Sequence, residues 1–108
     1  MPRYVFVGHS SPVEGREAEY DDWYLNRHLP AMLQCVGVVS VRRFKCAEAQ
    51  LPKTALSHRY LAIYEVETDA PENFVKDMLS RAISGRLPSS TTAATGSSGV
   101  VWQEEELK

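Results

Sequence analysis

The residues best suited to chemistry lie in one short run, residues 23–30, which reads Trp-Tyr-Leu-Asn-Arg-His-Leu-Pro. Tyr24 and His28 are four positions apart, so they would share one face of a helix. A histidine has an unperturbed pKa of ~6.5 and can accept or donate a proton near neutral pH. We therefore predict His28 as an acid/base residue and Tyr24 as its hydrogen-bonding neighbour. The structural alternative is that His28 only caps the end of the helix.

Four further side chains are candidates for binding a substrate. His9 follows the first predicted strand and His58 precedes the third, so adjacent antiparallel strands would bring them together. Arg43 lies on a strand, where it could bind a substrate carboxylate or pair with Glu65. Tyr64 could place its phenol in a pocket, although an aromatic residue on a central strand is often part of the core. Each of these assignments thus has a structural alternative.

We predict no metal site and no covalent nucleophile. His9 and His58 lack a third ligand at a recognisable spacing. No serine lies in a glycine elbow, and no glycine-rich phosphate loop follows a strand. Cys35 and Cys46 have a spacing that fits no zinc or redox pair, and we expect both to remain thiols. The sequence contains no indication of a nucleotide or flavin, so any activity is predicted to need no cofactor.

The composition indicates a single soluble domain. The 108 residues are 44% hydrophobic, which suits one compact core over residues 1–108. The net charge is -2 and the basic residues are scattered, which argues against nucleic acid as a partner. No apolar run approaches the ~20 residues of a membrane span, and the chain enters a strand-like run with no signal-peptide core. We therefore predict a cytoplasmic protein.

Hydrophobic periodicity predicts the element order β-α-β-β-α-β. The strands are predicted at residues 4–7, 38–44, 60–67 and from 100 onward, and the helices at residues 14–28 and from 71 to just before 85. Pro30 should end the first helix, because the residue before a proline avoids the α region. His28 would then lie at the helix C-terminus, whose dipole favours a protonated imidazole.

Two segments fall outside this pattern. Residues 46–58 form a long connection between the second and third strands. Residues 84–99 consist mostly of Ser, Thr, Ala and Gly, a composition that buries little surface and favours a mobile loop. Such a loop could act as a lid over a site.

The element order is typical of a ferredoxin-like fold, a four-stranded antiparallel sheet with two helices on one face. Two helices cannot cover both faces of the sheet. The first and third predicted strands carry apolar side chains on both faces, so the uncovered face also avoids water. The simplest partner for it is a second copy of the chain, so we predict a homodimer.

The aromatic pair Trp23-Tyr24, followed by His28, Pro30 and Gly37, resembles the dimeric α+β barrel superfamily, in its EthD-like and muconolactone-isomerase-like branch. The resemblance covers roughly residues 4–102. It implies a small dimer with a pocket between sheet and helices. Members include cofactor-free isomerases, cyclases, lyases and monooxygenases that act on cyclic or aromatic molecules, and others have no assigned reaction. His28 stands where some members carry an acid/base histidine.

We therefore predict a cofactor-independent isomerase, cyclase or lyase that acts on a small cyclic or aromatic metabolite by proton transfer. His28 would be its acid/base residue. Two alternatives remain open, a non-catalytic protein that binds a small molecule in the same pocket and a cofactor-free monooxygenase.

Overall fold

The structure is a computed structural model that describes residues 2–107. The strands in that range are β1 (Arg3–Ser10), β2 (Val38–Lys45), β3 (Tyr60–Glu67) and β4 (Ser98–Gln103). The helices are α1 (Glu17–Trp23), α2 (Leu29–Met32) and α3 (Pro71–Ile83), and a π-helical segment (Tyr24–His28) joins α1 directly to α2.

The four strands form one antiparallel sheet in the order β2-β3-β1-β4. Phe6 of β1 lies opposite Tyr64 of β3, so both side chains point to the same face. On that face Phe6 packs against Phe74 of α3, with ring centroids 5.5 Å apart, and Tyr64 meets Tyr24 of the π-helical segment. The continuous helical segment from α1 to α2 and the helix α3 therefore cover one face of the sheet, and the predicted ferredoxin-like fold is confirmed.

The first helix does not end before Pro30, so that prediction was wrong. Leu29 keeps helical angles, with φ -59° and ψ -47°, and its N–H donates to the carbonyl of Tyr24 five residues earlier. A π turn shifts the hydrogen-bonding register by one residue, which lets the helix accommodate a proline whose nitrogen cannot donate. Pro30 then lies in the first turn of α2, where a donor is least needed. His28 is consequently inside a continuous helix and not at its end.

Gly8 does not end β1, because the strand continues to Ser10. At the other end of the chain, β4 begins at Ser98, two residues before the predicted start. Backbone hydrogen bonds tie the segment before β4 to the residues after β1. The Val13 N–H donates to the Thr92 carbonyl oxygen at 2.7 Å, and the Ala94 N–H donates to the Ser11 carbonyl oxygen at 2.8 Å. These two hydrogen bonds attach the segment to the residues after β1. The mobility of residues 84–99 stays a prediction.

The core lies between the helices and the face of the sheet that they cover. Its largest members, Tyr20, Tyr64 and Phe74, are at most 1% exposed. Around them pack Tyr24, Met32, Cys35, Ala62 and Val66. The buried core is therefore unusually rich in phenols, whose hydroxyl groups need partners inside the protein.

In the part of the chain that the structure describes, no helix covers the opposite face of the sheet, here called the open face. Strand alternation places Val5 and Val7 on it, on either side of Phe6. The strand registers add Phe44, Leu61, Ile63, Val100 and Trp102. Trp102 is 57% exposed. This face carries apolar side chains from all four strands, together with the charged side chains of Arg42 and Glu65. The sequence predicted its apolar side chains on β1 and β3.

Gly37, between α2 and β2, is a position where only glycine fits. Its φ is +87°, and a Cβ there would lie 3.1 Å from Val66 Cγ1 and 3.2 Å from the Glu67 carbonyl oxygen. We expect Gly37→Ala to lower the free energy of unfolding by more than the ~1–2 kcal/mol of left-handed backbone strain. The control is Gly15→Ala, where φ is +84° but nothing lies within 4 Å. Equal losses in urea denaturation would show that the close contact is unimportant.

Candidate active site

A cavity of about 230 Å³ lies between the covered face of the sheet and the helices. Its walls are mostly aromatic and apolar, and its polar groups are few. Phe6, Trp23, Tyr24, Met32, Tyr64 and Met78 form much of the lining, and His28 contributes the imidazole. An apolar hollow with a few convergent polar groups is the usual form of a small-molecule site.

Two facing glycines help to keep this space open. Gly8 of β1 pairs with Gly99 of β4, and both lie on the covered face. A Cβ on Gly99 would fall into the ring of Phe6, so Gly99 makes room for that ring. A Cβ on Gly8 would come near only the Ser98 carbonyl oxygen, at 4.0 Å. The missing side chain of Gly8 is therefore part of the cavity. An isolated glycine within a strand pattern is the sequence signal for such a space.

His28 is neutral in this environment. Burial lowers the pKa of His28 to about 4. Nδ1 is buried and has no hydrogen-bond partner among the described residues. Nε2 is not one of the buried atoms that lack a partner. The prediction that a helix end would favour the protonated ring was wrong, because the ring lies inside the helix layer, where desolvation opposes the charge.

Trp23 and Tyr24 hold the imidazole between them. The ring centroids lie 4.9 Å from His28 for Trp23 and 5.0 Å for Tyr24. On a regular α-helix, residues five apart such as Trp23 and His28 do not share a face. The π turn brings them together. The Trp23 indole N–H also donates to the Pro88 carbonyl at 3.1 Å, which ties the helix to the segment before β4.

That segment closes one side of the cavity. Leu87, Ala93 and Ser97 line the hollow, and a short bridge between Pro12 and Ala93 fixes the middle of the segment. Its position is that of a lid, although its movement stays a prediction.

Two phenols meet at the cavity wall. The hydroxyls of Tyr24 and Tyr64 lie 3.5 Å apart, at the limit of a hydrogen bond. Burial raises the pKa of Tyr24, while the hydrogen bond to Tyr64 and the charge of Arg43 act in the opposite direction. Burial also raises the pKa of Tyr64. Both hydroxyls are therefore protonated at neutral pH and able to donate to an oxygen in the cavity.

Arg43 lies behind Tyr24 and does not line the cavity. Its guanidinium carbon is 4.5 Å from the centroid of Tyr24 and 4.2 Å from that of Tyr60. Nη2 pairs with Asp21 Oδ1 at 2.9 Å. The sequence analysis offered Glu65 as the structural partner of Arg43, and that prediction was wrong. Arg43 pairs with Ala62 and shares its face. Glu65 lies three residues after Ala62 on β3, so Arg43 faces the helices while Glu65 faces the open side.

The two histidines predicted to meet do so. The rings of His9 and His58 are 5.5 Å apart. His9 borders the cavity through β1, but alternation puts its side chain on the open face with Val5 and Val7, opposite Leu61. His58 does not line the cavity; its Nε2 bonds the Gly96 carbonyl at 2.7 Å and its Nδ1 lies 2.9 Å from Ser57 Oγ. The structure thus brings together His28, Tyr24 and Tyr64 at one cavity, and leaves Arg43, His58 and the ring of His9 outside it.

Among residues 2–107, no group of three or more His, Cys, Asp or Glu side chains could hold a metal ion. Cys35 and Cys46 are free thiols. No helix in that range is long and apolar enough to cross a membrane.

Comparison with known proteins gives similarity in three dimensions only. No family model matches the chain. No curated protein matches it either. The chain is similar to the heme-degrading protein MhuD from Mycobacterium tuberculosis, solved with two hemes in its active site. The TM-score is 0.65 at 17% identity, over 97% of this chain and 99% of that one.

Two further solved structures are similar over nearly their whole length. An EthD family protein from Bacillus halodurans has a TM-score of 0.58 at 13% identity, over 99% of this chain and 100% of its own. A dimeric ferredoxin-like protein of unknown function from Thermobifida fusca has a TM-score of 0.60 at 5% identity, over 95% and 92% of the two chains. Together with the sheet order, these likenesses show that the chain has the ferredoxin-like α+β fold of the EthD-like proteins to which it is similar.

Proposed function

We propose that the chain is a homodimeric, cofactor-independent cytoplasmic enzyme that acts on a small cyclic or aromatic metabolite by proton transfer, as an isomerase, cyclase or lyase. His28 is the acid/base residue in this proposal. The observation that carries it is a neutral imidazole on the wall of an apolar cavity, with Nδ1 sealed from water and without a partner. Proton exchange with a ligand is then limited to Nε2.

The size of the cavity narrows the choice of substrate. Pockets for drug-sized ligands measure roughly 300–1,000 Å³, and this one, at about 230 Å³, suits a molecule with one ring. Heme, which MhuD binds, is too large for this space. Phe6 and Met78 offer apolar contacts to the flat faces of such a ring.

The low pKa of His28 favours a base over an acid. The neutral ring has a free lone pair at pH 7 and can take a proton from an acidic carbon or hydroxyl. The imidazolium that forms is poorly solvated, so the reaction needs a counter-charge. An oxyanion that develops on the substrate supplies it, and the hydroxyls of Tyr24 and Tyr64 can donate hydrogen bonds to that oxyanion.

Solvent exchange tests this function directly. We would incubate the protein in D2O with a panel of single-ring ketones, lactones and phenols and follow each by NMR. The wild type should introduce deuterium at the carbon next to a carbonyl. His28→Gln should bind the same compound but exchange it at least ~100-fold more slowly, the usual contribution of a general base. Binding without exchange by the wild type would favour the binding protein, and oxygen consumption would favour the monooxygenase.

Gly8→Val provides the matched control for the cavity. A Cβ at position 8 would come no nearer to a neighbour than 4.0 Å, at the Ser98 carbonyl oxygen, and valine suits a strand. Its methyl groups would occupy the hollow. This variant should lose both binding and exchange while its melting temperature stays level or rises. Gly8→Ala should be intermediate. Unchanged affinity in Gly8→Val would place the ligand elsewhere.

The charge state of His28 also predicts how stability depends on pH. The unfolded chain holds the imidazole at a pKa of ~6.5, while the folded protein holds it at about 4. The unfolded state therefore binds the proton more readily than the folded state. The contribution of His28 to the free energy of unfolding is fully present above pH ~6.5 and is lost as the pH falls from ~6.5 to about 4, by up to ~3 kcal/mol. His28→Gln should remove this share of the slope in urea denaturation. Parallel pH curves for the two proteins would contradict a buried neutral ring.

The homodimer in this proposal rests on the open face. An exposed cluster of large apolar side chains such as Phe44, Val100 and Trp102 often marks an interaction surface. Val5, Val7 and Trp102 would be buried when two such faces pack together, since a two-fold contact covers the same patch twice. The Thermobifida fusca protein, which is similar in fold, is itself dimeric.

Trp102→Glu tests the dimer. A carboxylate on the open face should leave the fold intact and convert the protein to monomers at micromolar concentration in sedimentation velocity. Leu79→Glu is the control, because Leu79 on α3 has a similar exposure, 55% against 57%, on the helical side. A folded monomer for the wild type would refute the dimer, and so would dissociation of both variants alike.

A further inference from the structure

Arg43 is an unexpected residue between the helices and the sheet. It lies on β2 opposite Ala62, a residue with no exposure, and its own side chain is 17% exposed. The guanidinium packs against the faces of Tyr24 and Tyr60. Its Nε is buried and has no hydrogen-bond partner among the described residues. A cation is thus held in the aromatic layer with one of its donors unsatisfied.

Stability does not explain this arrangement. Removing a cation from water is unfavourable, and an ion pair of this kind is often no better for stability than apolar residues of similar volume. Asp21, its partner, is 43% exposed and gains little from the pair. The charge therefore calls for a role other than holding the fold together.

Its position beside the cavity suggests that role. Tyr24 separates Arg43 from the hollow, with the cation against one part of the ring and the hydroxyl at the cavity wall. A cation at this distance from a phenol stabilises negative charge on its oxygen, and more strongly where water is excluded. A phenol that better tolerates negative charge is a better hydrogen-bond donor.

We propose that Arg43 is a positioning residue that acts through Tyr24: its charge, held against the ring by Asp21, strengthens the Tyr24 hydroxyl as a donor to the substrate oxygen. The proposal rests on the function proposed above and assigns Tyr24 as the donor to the developing oxyanion. Asp21 sets the strength of the effect, because it fixes the guanidinium and partly offsets its charge.

The groups around Tyr24 define what a titration would report. Tyr20 and His28 approach it from the helical side, at 5.5 Å and 5.0 Å between ring centroids, and Tyr64 approaches from β3. Arg43 is the one permanent cation within 6 Å of the ring among the described residues. Tyr64 remains protonated and His28 remains neutral near pH 7, so the charges of Arg43 and Asp21 dominate the effect on Tyr24.

The test measures Tyr24 alone and without a substrate. We would place 2,3,5-trifluorotyrosine at position 24, since its phenol ionises nearer to neutral pH, and follow its titration by fluorine NMR. Arg43→Met should raise the apparent pKa by about one unit or more. Asp21→Asn, which leaves the cation without its counter-ion, should lower it. Arg43→Lys should give an intermediate value, because an ammonium keeps the charge but not the flat stacking.

Opposite shifts in the two variants would establish the coupling. Shifts of the same sign, or none in either variant, would overturn the proposal and leave Arg43 a structural residue. Melting temperature is the second measurement: Arg43→Met should be as stable as the wild type, whereas a structural role predicts a clear loss. If Arg43→Met does not fold, Asp21→Asn and Arg43→Lys still decide the question. Coupling without exchange of any ring compound would refute the proposed function but not the Arg43–Tyr24 interaction.

Discussion

The site depends on a local constraint in the backbone, the need for one helix to continue past a proline. Pro30 cannot donate a hydrogen bond, and the chain accommodates it by widening the preceding turn into the π-helical segment. That wider turn changes which side chains are neighbours. Trp23 comes to lie against His28, and His28 stays within the helical layer, where it is cut off from water. The charge state of the imidazole is thus a consequence of the backbone geometry.

Burial then makes the cavity electrically neutral at rest. His28 is uncharged at pH 7, the phenols of Tyr24 and Tyr64 are protonated, and the nearest cation, Arg43, lies behind an aromatic ring. A hydrogen bond from Tyr24 or Tyr64 to charge that develops on a ligand would be strong in such a place, because little water competes. Preformed donors around an uncharged hollow favour a reaction in which an anion appears only transiently.

The sequence predicts elements better than it predicts side-chain partners. Period-two and period-3.6 patterns defined the strands and α3, since each buries one continuous apolar surface. The His9–His58 approach followed from topology alone. The site depended on features that spacing cannot report: the π turn that pairs Trp23 with His28, and the strand face that gives Arg43 to Asp21 in place of Glu65. A proline six residues after the pair Trp23-Tyr24 predicted the end of the helix, whereas the chain continues past Pro30 through a wider turn.

The register of β1 ties the two faces of the sheet together. Phe6 and Gly8 face the cavity, while Val5 and Val7 face outward. A slip of one residue would exchange the two sets. Val7 would then fill the hollow, and Phe6 would lose its place over Gly99. The apolar open face and the cavity therefore both require the same register of β1. A substitution in β1 that keeps this register should affect either the open face or the cavity, but not both.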